Sequence, residues 1–260
     1  MLKKLVLMVL FFTGLTGPAR GETVDEILAL YTEGRFTEAM EKGRALGTVD
    51  GLNLAVRSQF ILIQYTYDPE LRRSVIERAM VDARKAYDMD PDNLEATTNL
   101  GIIIALRGKY ERSISDGRES RDLFRKAVEM DPEDSWALGA LASWHADIID
   151  QAGFIVGRLI FGAKKKKAYE LFDRAIEAEP GNLTIRAAYV RALLKLRPKK
   201  FAVIIQENMD YILQSQADNV LERLMKEQIR QIRIAMDNDD QGRLELLLDE
   251  AVSLKLVPDN

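Results

Sequence analysis

A recurring spacing of small residues and a proline constrains this chain more than any other feature. Ala79, Ala83, Ala86 and Pro91 fall at steps of four, three and five, and Ala168, Phe172, Ala175 and Pro180 repeat those steps. Phe124, Ala127 and Pro132 repeat the last part of the pattern. Steps of three and four place side chains on one helical stripe, where a small residue lets a neighbouring helix approach closely. Each stripe stops at a junction of one chemistry: Asp90-Pro91-Asp92-Asn93, Asp131-Pro132-Glu133-Asp134 and Glu179-Pro180-Gly181-Asn182. Proline cannot continue a helix, and Asp or Asn beyond it caps the next one. The spacing therefore predicts helices stacked in antiparallel pairs. Two first helices are visible directly: Ile27 to Glu33 before the turn Gly34-Arg35-Phe36, and Leu94 to Arg107 before a turn at Gly108-Lys109-Tyr110. Glycine supplies the left-handed conformation such turns use.

Gly101 with Gly108 and Tyr110, Gly34 with Phe36 and Ala39, and the Ala-Ala-Pro endings resemble the tetratricopeptide repeat (TPR) pattern over most of the chain. The resemblance implies an all-α fold, a TPR-like helical solenoid. Trp136 to Asn182, with Trp144-His145, Phe161-Gly162 and Ala168 to Phe172, also resembles the regulator of microtubule dynamics family and its exported bacterial relatives, which implies a helical adaptor. The chain departs from a simple repeat at its centre. After the Gly108-Tyr110 turn the matching ending arrives seven residues late, and in the pair counted from Ser135 it arrives fourteen late. Delays of about two and four helical turns keep the apolar stripe in phase, so two central pairs are expected to be lengthened by helix extensions or hairpin inserts. Beyond Asn182 the Ala-Pro endings vanish, yet Ile185 to Leu196, Phe201 to Leu213, Val220 to Met236 and Arg243 to Leu254 keep a helical period. Residues 22–182 read as the solenoid and 183–260 as its degenerate capping region in the same domain.

Residues 1–21 stand apart. Lys3 and Lys4, the apolar run Leu5 to Phe12 and the small residues around Ala19-Arg20-Gly21 have the order of a signal peptide. The apolar run falls short of the roughly 20 residues a spanning helix needs. Cleavage near Gly21 and a periplasmic or otherwise exported chain are expected. There is no cysteine, which removes disulfides, thiol chemistry and thiolate metal sites. Without residues 1–21 the chain holds 34 basic and 41 acidic residues, a formal charge of −7. That balance argues against nucleic acid as a partner, because affinity for phosphate backbones rests on clustered cations.

Several segments invite a chemical reading. His145 is the only histidine and follows Trp144 in an apolar stretch; with no second His or Cys beside it, a packed structural role is expected over metal binding or catalysis. Asp237 to Gly242 begins like a calcium loop, but Leu248 stands where the bidentate glutamate belongs, so a turn between helices is expected. Lys164 to Lys167 reads as a solvated loop leading into the helix from Ala168, with attachment to anionic lipid or an acidic partner as the functional alternative. Gly153 to Phe161 is almost wholly apolar, and is expected to close over the core or line a cavity; left exposed, it becomes an interaction surface and a means of forming a homo-oligomer. The chain has no Gly-x-Ser-x-Gly elbow, Gly-rich phosphate loop or His-Glu-x-x-His helix. No enzyme activity, cofactor or metal is expected.

The TPR resemblance places the binding face on the first helix of each pair. Projected onto this chain, the inward stripes are Thr98, Ile102 and Ala105; Trp136, Gly139 and Ser143; and Ala187, Arg191 and Leu194. The Lys and Asn side chains with which some TPR proteins clamp a terminal carboxylate are missing from the first two stripes, which favours an apolar, extended ligand. The leading expectation is an exported scaffold or adaptor that holds a protein partner or apolar segment in this groove. The alternative is a periplasmic solute-binding accessory to a membrane transporter, enclosing a small apolar ligand in a cavity lined by Trp144, His145 and Phe154. Peripheral contact with the membrane or a transporter fits either.

Overall fold

The computed structural model describes residues 23–65 and 68–249. Residues 1–22, which include the expected signal segment, and residues 250–260 lie outside the described residues. Within them the chain is helical and has no strand. Six pairs follow one another: α1 (Val24–Glu33) with α2 (Phe36–Leu46), α3 (Val49–Tyr65) with α4 (Pro69–Met89), and α5 (Leu94–Glu111) with α6 (Ile114–Met130). They continue as α7 (Ser135–Val156) with α8 (Lys165–Ala178), α9 (Leu183–Leu196) with α10 (Ala202–Gln214), and α11 (Val220–Asp237) with α12 (Gln241–Asp249). First helices stack on first helices from α1 through α11, and each second helix packs against its own first helix. This is an all-α, TPR-like solenoid.

The repeated stripe is the reason the helices can stack. Ala79, Ala83, Ala86, Ala127, Ala168 and Ala175 are completely buried, and Phe124 and Phe172 fill the larger sites between them. The proline junctions work as the sequence predicts. The amides of Asp90, Asp131 and Glu179 close the ending helices on Ala86, Ala127 and Ala175. Past each proline, Asn93, Asp134 and Asn182 accept from the amides of Ala96 (2.9 Å), Ala137 (2.6 Å) and Ile185 (3.0 Å). One stop and one start are thus written in four residues.

Helices α2 and α3 come closer than side chains allow. A Cβ on Gly43 would stand 2.3 Å from the Gly51 carbonyl oxygen, and one on Gly51 would stand 2.8 Å from the Gly43 carbonyl oxygen. Because the obstacle is backbone, it cannot rotate aside. Gly43→Ala should therefore cost about 2 kcal/mol even after the helix-propensity gain of about 1 kcal/mol. Denaturant unfolding checks this; an unchanged midpoint would mean that the two helices cross with room to spare.

Three sequence expectations change. Helix α5 runs through Gly108-Lys109-Tyr110 and turns at Arg112, whose φ of 55° is left-handed, with Ser113 capping α6. Gly108 is used for proximity instead: a Cβ there would meet Asp116 Cβ at 2.9 Å. The Lys run is not a loop, since α8 already starts at Lys165, with Lys164 at the cap. The Gly153 to Phe161 segment does not close over the core. Helical backbone breaks at Gly153 (φ 78°, ψ 161°), the chain then forms the π-helical turn Gly157–Phe161, and most of its apolar side chains face outward. The late endings come from long helices, as expected, and α4, with 21 residues, is long too.

Residues 250–254 of the expected last helix lie outside the described residues, and over the described ones the four C-terminal helices fall where the periodicity puts them. They do more than cover an end: Val220 and Leu221, at the start of α11, pack against the α1–α3 cluster. A Cβ on Gly34 would stand 2.9 Å from Val220. The layer of first helices is thereby curled until its last member touches its first.

Candidate partner-binding face

Partly exposed residues of the inner helices follow one stripe each. On α5 these are Ile102 and Ala105; on α7, Trp136, Ala140 and Ser143; on α9, Thr184, Ala188 and Arg191. Steps of three and four keep each set on one face. The apolar members pack over the large core cluster that runs from α6 to α12, so the face is a thin apolar cover over a filled interior.

Between α7 and α9 the stripe dips. Ser143, Asp147, Ala188, Arg191 and Lys195 surround a hollow of about 40 Å³, large enough for water and too small for an organic ligand. Its rim is ionic, with Lys195 Nζ 3.0 Å from Asp150. Its floor holds an unsatisfied donor: Arg191 Nε is buried without a hydrogen-bond partner. On α11, Arg233 donates through Nη1 to Asp210 at 2.6 Å, while its buried Nε and Nη2 have no partner. Buried polar groups are nearly always paired, so the donors of Arg191 and Arg233 stand out as exceptions.

The other projected residues are placed differently. Thr98 and Gly139 are buried. Thr98 donates its hydroxyl to the Leu94 carbonyl at 2.9 Å, and Gly139 makes room for α9, since a Cβ there would stand 2.3 Å from Ile185 Cδ1. Ala187 and Leu194 are also buried. Trp144 is buried with its indole N–H donating to the Gly117 carbonyl at 2.9 Å, which turns it toward α6. His145 is buried beside it, and its Nδ1 accepts from the Lys164 amide at 3.4 Å. Burial, reinforced by Arg125, Lys167, Lys164 and Arg121, pushes the His145 pKa down to about 4. Phe154, by contrast, is half exposed beyond the Gly153 break. Trp144, His145 and Phe154 therefore do not line one cavity: consecutive residues on a helix point about 100° apart, and α6 and α8 cover the first two.

Asp237 to Gly242 forms the α11–α12 turn, with the Arg243 amide donating to Asp240 Oδ1 at 2.9 Å. Among the described residues no group of His, Asp or Glu side chains is arranged to hold a metal ion. Among them, too, no helix is long and apolar enough to cross a membrane. Sequence reasoning missed Ala140, Thr184 and Ala188, which continue the stripe at steps of three and four from Trp136 and Arg191. It also missed Arg233 and Asp210, whose pairing spans 23 positions and leaves no local pattern.

Known structures resemble this fold. A thermophilic TPR protein of Thermus thermophilus, TTC0263, superposes with a TM-score of 0.50 at 19% identity, over 66% of this chain and 79% of that one. PilF of Pseudomonas aeruginosa superposes with a TM-score of 0.45 at 17% identity, over 86% of each chain. No protein-family model matches the chain, and no curated protein matches it.

Proposed function

We propose that this chain is an exported scaffold or adaptor that binds a protein segment along the inner faces of α5, α7 and α9, and that it works by binding, not by turnover. The observation that carries the reading is the stripe itself. Ile102, Ala105, Trp136, Ala140 and Ala188 offer a shallow apolar track, and Arg191 beside it holds a buried donor with nothing to give it to. An extended peptide supplies both needs, apolar side chains for the track and backbone carbonyls for Arg191. The hollow between α7 and α9 is too small for a solute, so the same geometry does not favour an enclosed small ligand.

Export rests on residues 1–21, and the adaptor role agrees with the resemblance of Trp136 to Asn182 to the regulator of microtubule dynamics family and its exported relatives. The test is capture from the cell envelope, followed by direct titration of the captured partner. Arg191→Ala and Ala188→Glu should each weaken that binding at least tenfold, the range of a central contact, while helical content stays unchanged. Equal affinity of both variants would remove the groove from the mechanism. Reproducible turnover of any substrate, lost on His145→Ala, would overturn the non-catalytic reading.

A further inference from the structure

The bend between α7 and α8 leaves five neighbouring apolar side chains in solvent. Phe154, Ile155, Val156, Leu159 and Ile160 are exposed, Ile155 at 69% and Leu159 at 79%. A contiguous apolar patch on a chain with a well-filled core marks a contact surface. The patch is held from below. Phe161 is buried where Gly117 has no side chain, since a Cβ there would stand 2.7 Å from its ring. Two α6 arginines grip the turn: Arg118 Nη2 donates to the Ile160 carbonyl at 3.3 Å, and Arg121 Nη1 to the Phe161 carbonyl at 2.9 Å. What directs the apolar side chains outward is Gly153, whose backbone lies in a region that essentially only glycine occupies.

The surroundings are basic although the chain is acidic. Residues 151–169 contain Arg158 and Lys164 to Lys167 and no Asp or Glu. Lys164 and Lys167 share a neighbourhood with Arg121 and Arg125 of α6, because all four charges act on the His145 ring. Asp122 pairs with Arg121, and Glu170 with Lys166, which leaves the patch net positive. Lysines in the first turn also oppose the helix dipole of α8, which lacks the side-chain cap found on α1, α4, α5, α6, α7, α9 and α11. Charges placed against local stability belong to something outside the fold.

We propose that the α7–α8 bend is a membrane-docking tip: Phe154, Ile155, Leu159 and Ile160 enter the acyl boundary of a bilayer, while Arg158, Lys164, Lys166 and Lys167 meet anionic lipid phosphates around them. A bilayer with anionic lipid supplies both chemistries at one surface. A second copy of the chain does not, because a symmetric contact brings two basic rims face to face. The tip is separate from the α5–α7–α9 track and stands whether or not a peptide binds there.

Flotation of the full chain with vesicles tests it. Residues 1–21 are present in every variant, so any contribution from them is common to all. The chain should float with phosphatidylcholine vesicles that contain phosphatidylglycerol, and salt should release it. Ile155→Asp with Leu159→Asp should lower partitioning at least tenfold. Lys164→Gln with Lys167→Gln should lower it roughly fivefold per lysine. Both pairs are exposed, and circular dichroism of each variant checks that the helices remain. Failure to float, or flotation unchanged by both double variants, would overturn the proposal. A dimer in sedimentation that Ile155→Asp with Leu159→Asp dissolves, without vesicle binding, would overturn it in favour of self-association.

Discussion

Asp82→Ala should destabilise this chain by about 3 kcal/mol, although the residue touches no proposed partner. Asp82 is a buried carboxylate on α4, within the Ala79-Ala83-Ala86 stripe. It accepts from Gln59 Nε2 at 2.6 Å and from Arg44 Nε at 3.1 Å, and so ties α3 and α2 to α4. Gln59 is wholly buried, and its Oε1 already lacks a partner. Truncating Asp82 strands the Gln59 amide N–H group as well, at about 1–3 kcal/mol. It also dissolves an ion pair whose half-exposed arginine end contributes only about 1 kcal/mol. Asp82→Asn retains an acceptor for Gln59 and should lose about 1 kcal/mol. Urea unfolding of both variants decides the matter: equal losses would assign the effect to charge, and no loss in either would show that Gln59 finds another acceptor.

That triad shows what the sequence could not announce. Arg44, Gln59 and Asp82 are separated by 15 and 23 positions, and each type is common in a chain with 30% charged residues. Nothing local distinguishes this Asp from its solvated neighbours. The Ala-Ala-Pro stripe was legible for the opposite reason. Its packing rule, its stop and the next helix cap all lie within about fifteen residues, so propensity, spacing and capping agree. The C-terminal helices were legible by period alone, whereas the contact of α11 with α1 depends on the summed curvature of six pairs.

Glycine was the least transparent residue. Gly108 sits in a turn-like Gly-Lys-Tyr sequence, yet it serves a close approach inside α5, and the turn falls to Arg112, a residue with no preference for it. Gly153 heads an apolar run expected to close over the core and instead supplies the backbone break that exposes the following residues. Both readings need to know which backbone lies opposite, and that is tertiary information. On the inner helices, helical spacing picked out partly exposed positions of α7 and α9 at Trp136, Ser143 and Arg191. It drifted inward at Gly139 and Ala187, one residue over from the stripe, and at Thr98 and Leu194, which are buried although their spacing is helical.

His145 gives the fold a pH dependence with a defined sign. The ring is buried between Trp144, with centroids 5.0 Å apart, and the start of α8. Burial lowers its pKa from the ordinary 6.5 to about 4; Arg121 and Arg125 on α6 and Lys164 and Lys167 on α8 push the same way. The Lys164 amide donates to Nδ1, a bond that only the neutral ring can accept. Because the folded pKa lies below the unfolded one, the stabilising effect is complete above pH 6.5. It declines as pH falls from there toward 4, while the unfolded chain takes up a proton that the folded chain refuses. At about 1.4 kcal/mol per pH unit, the loss reaches about 3 kcal/mol. Carboxylates titrate over part of this window too, so the informative quantity is a difference between chains. His145→Asn keeps an acceptor toward Lys164 and cannot ionise. Denaturant unfolding from about pH 7 to about pH 4 should show the wild type losing about 3 kcal/mol more than the variant. Parallel profiles would mean that protonated His145 finds a place in the fold, which requires the α7–α8 bend to open and carry Lys164 and Lys167 away from the ring.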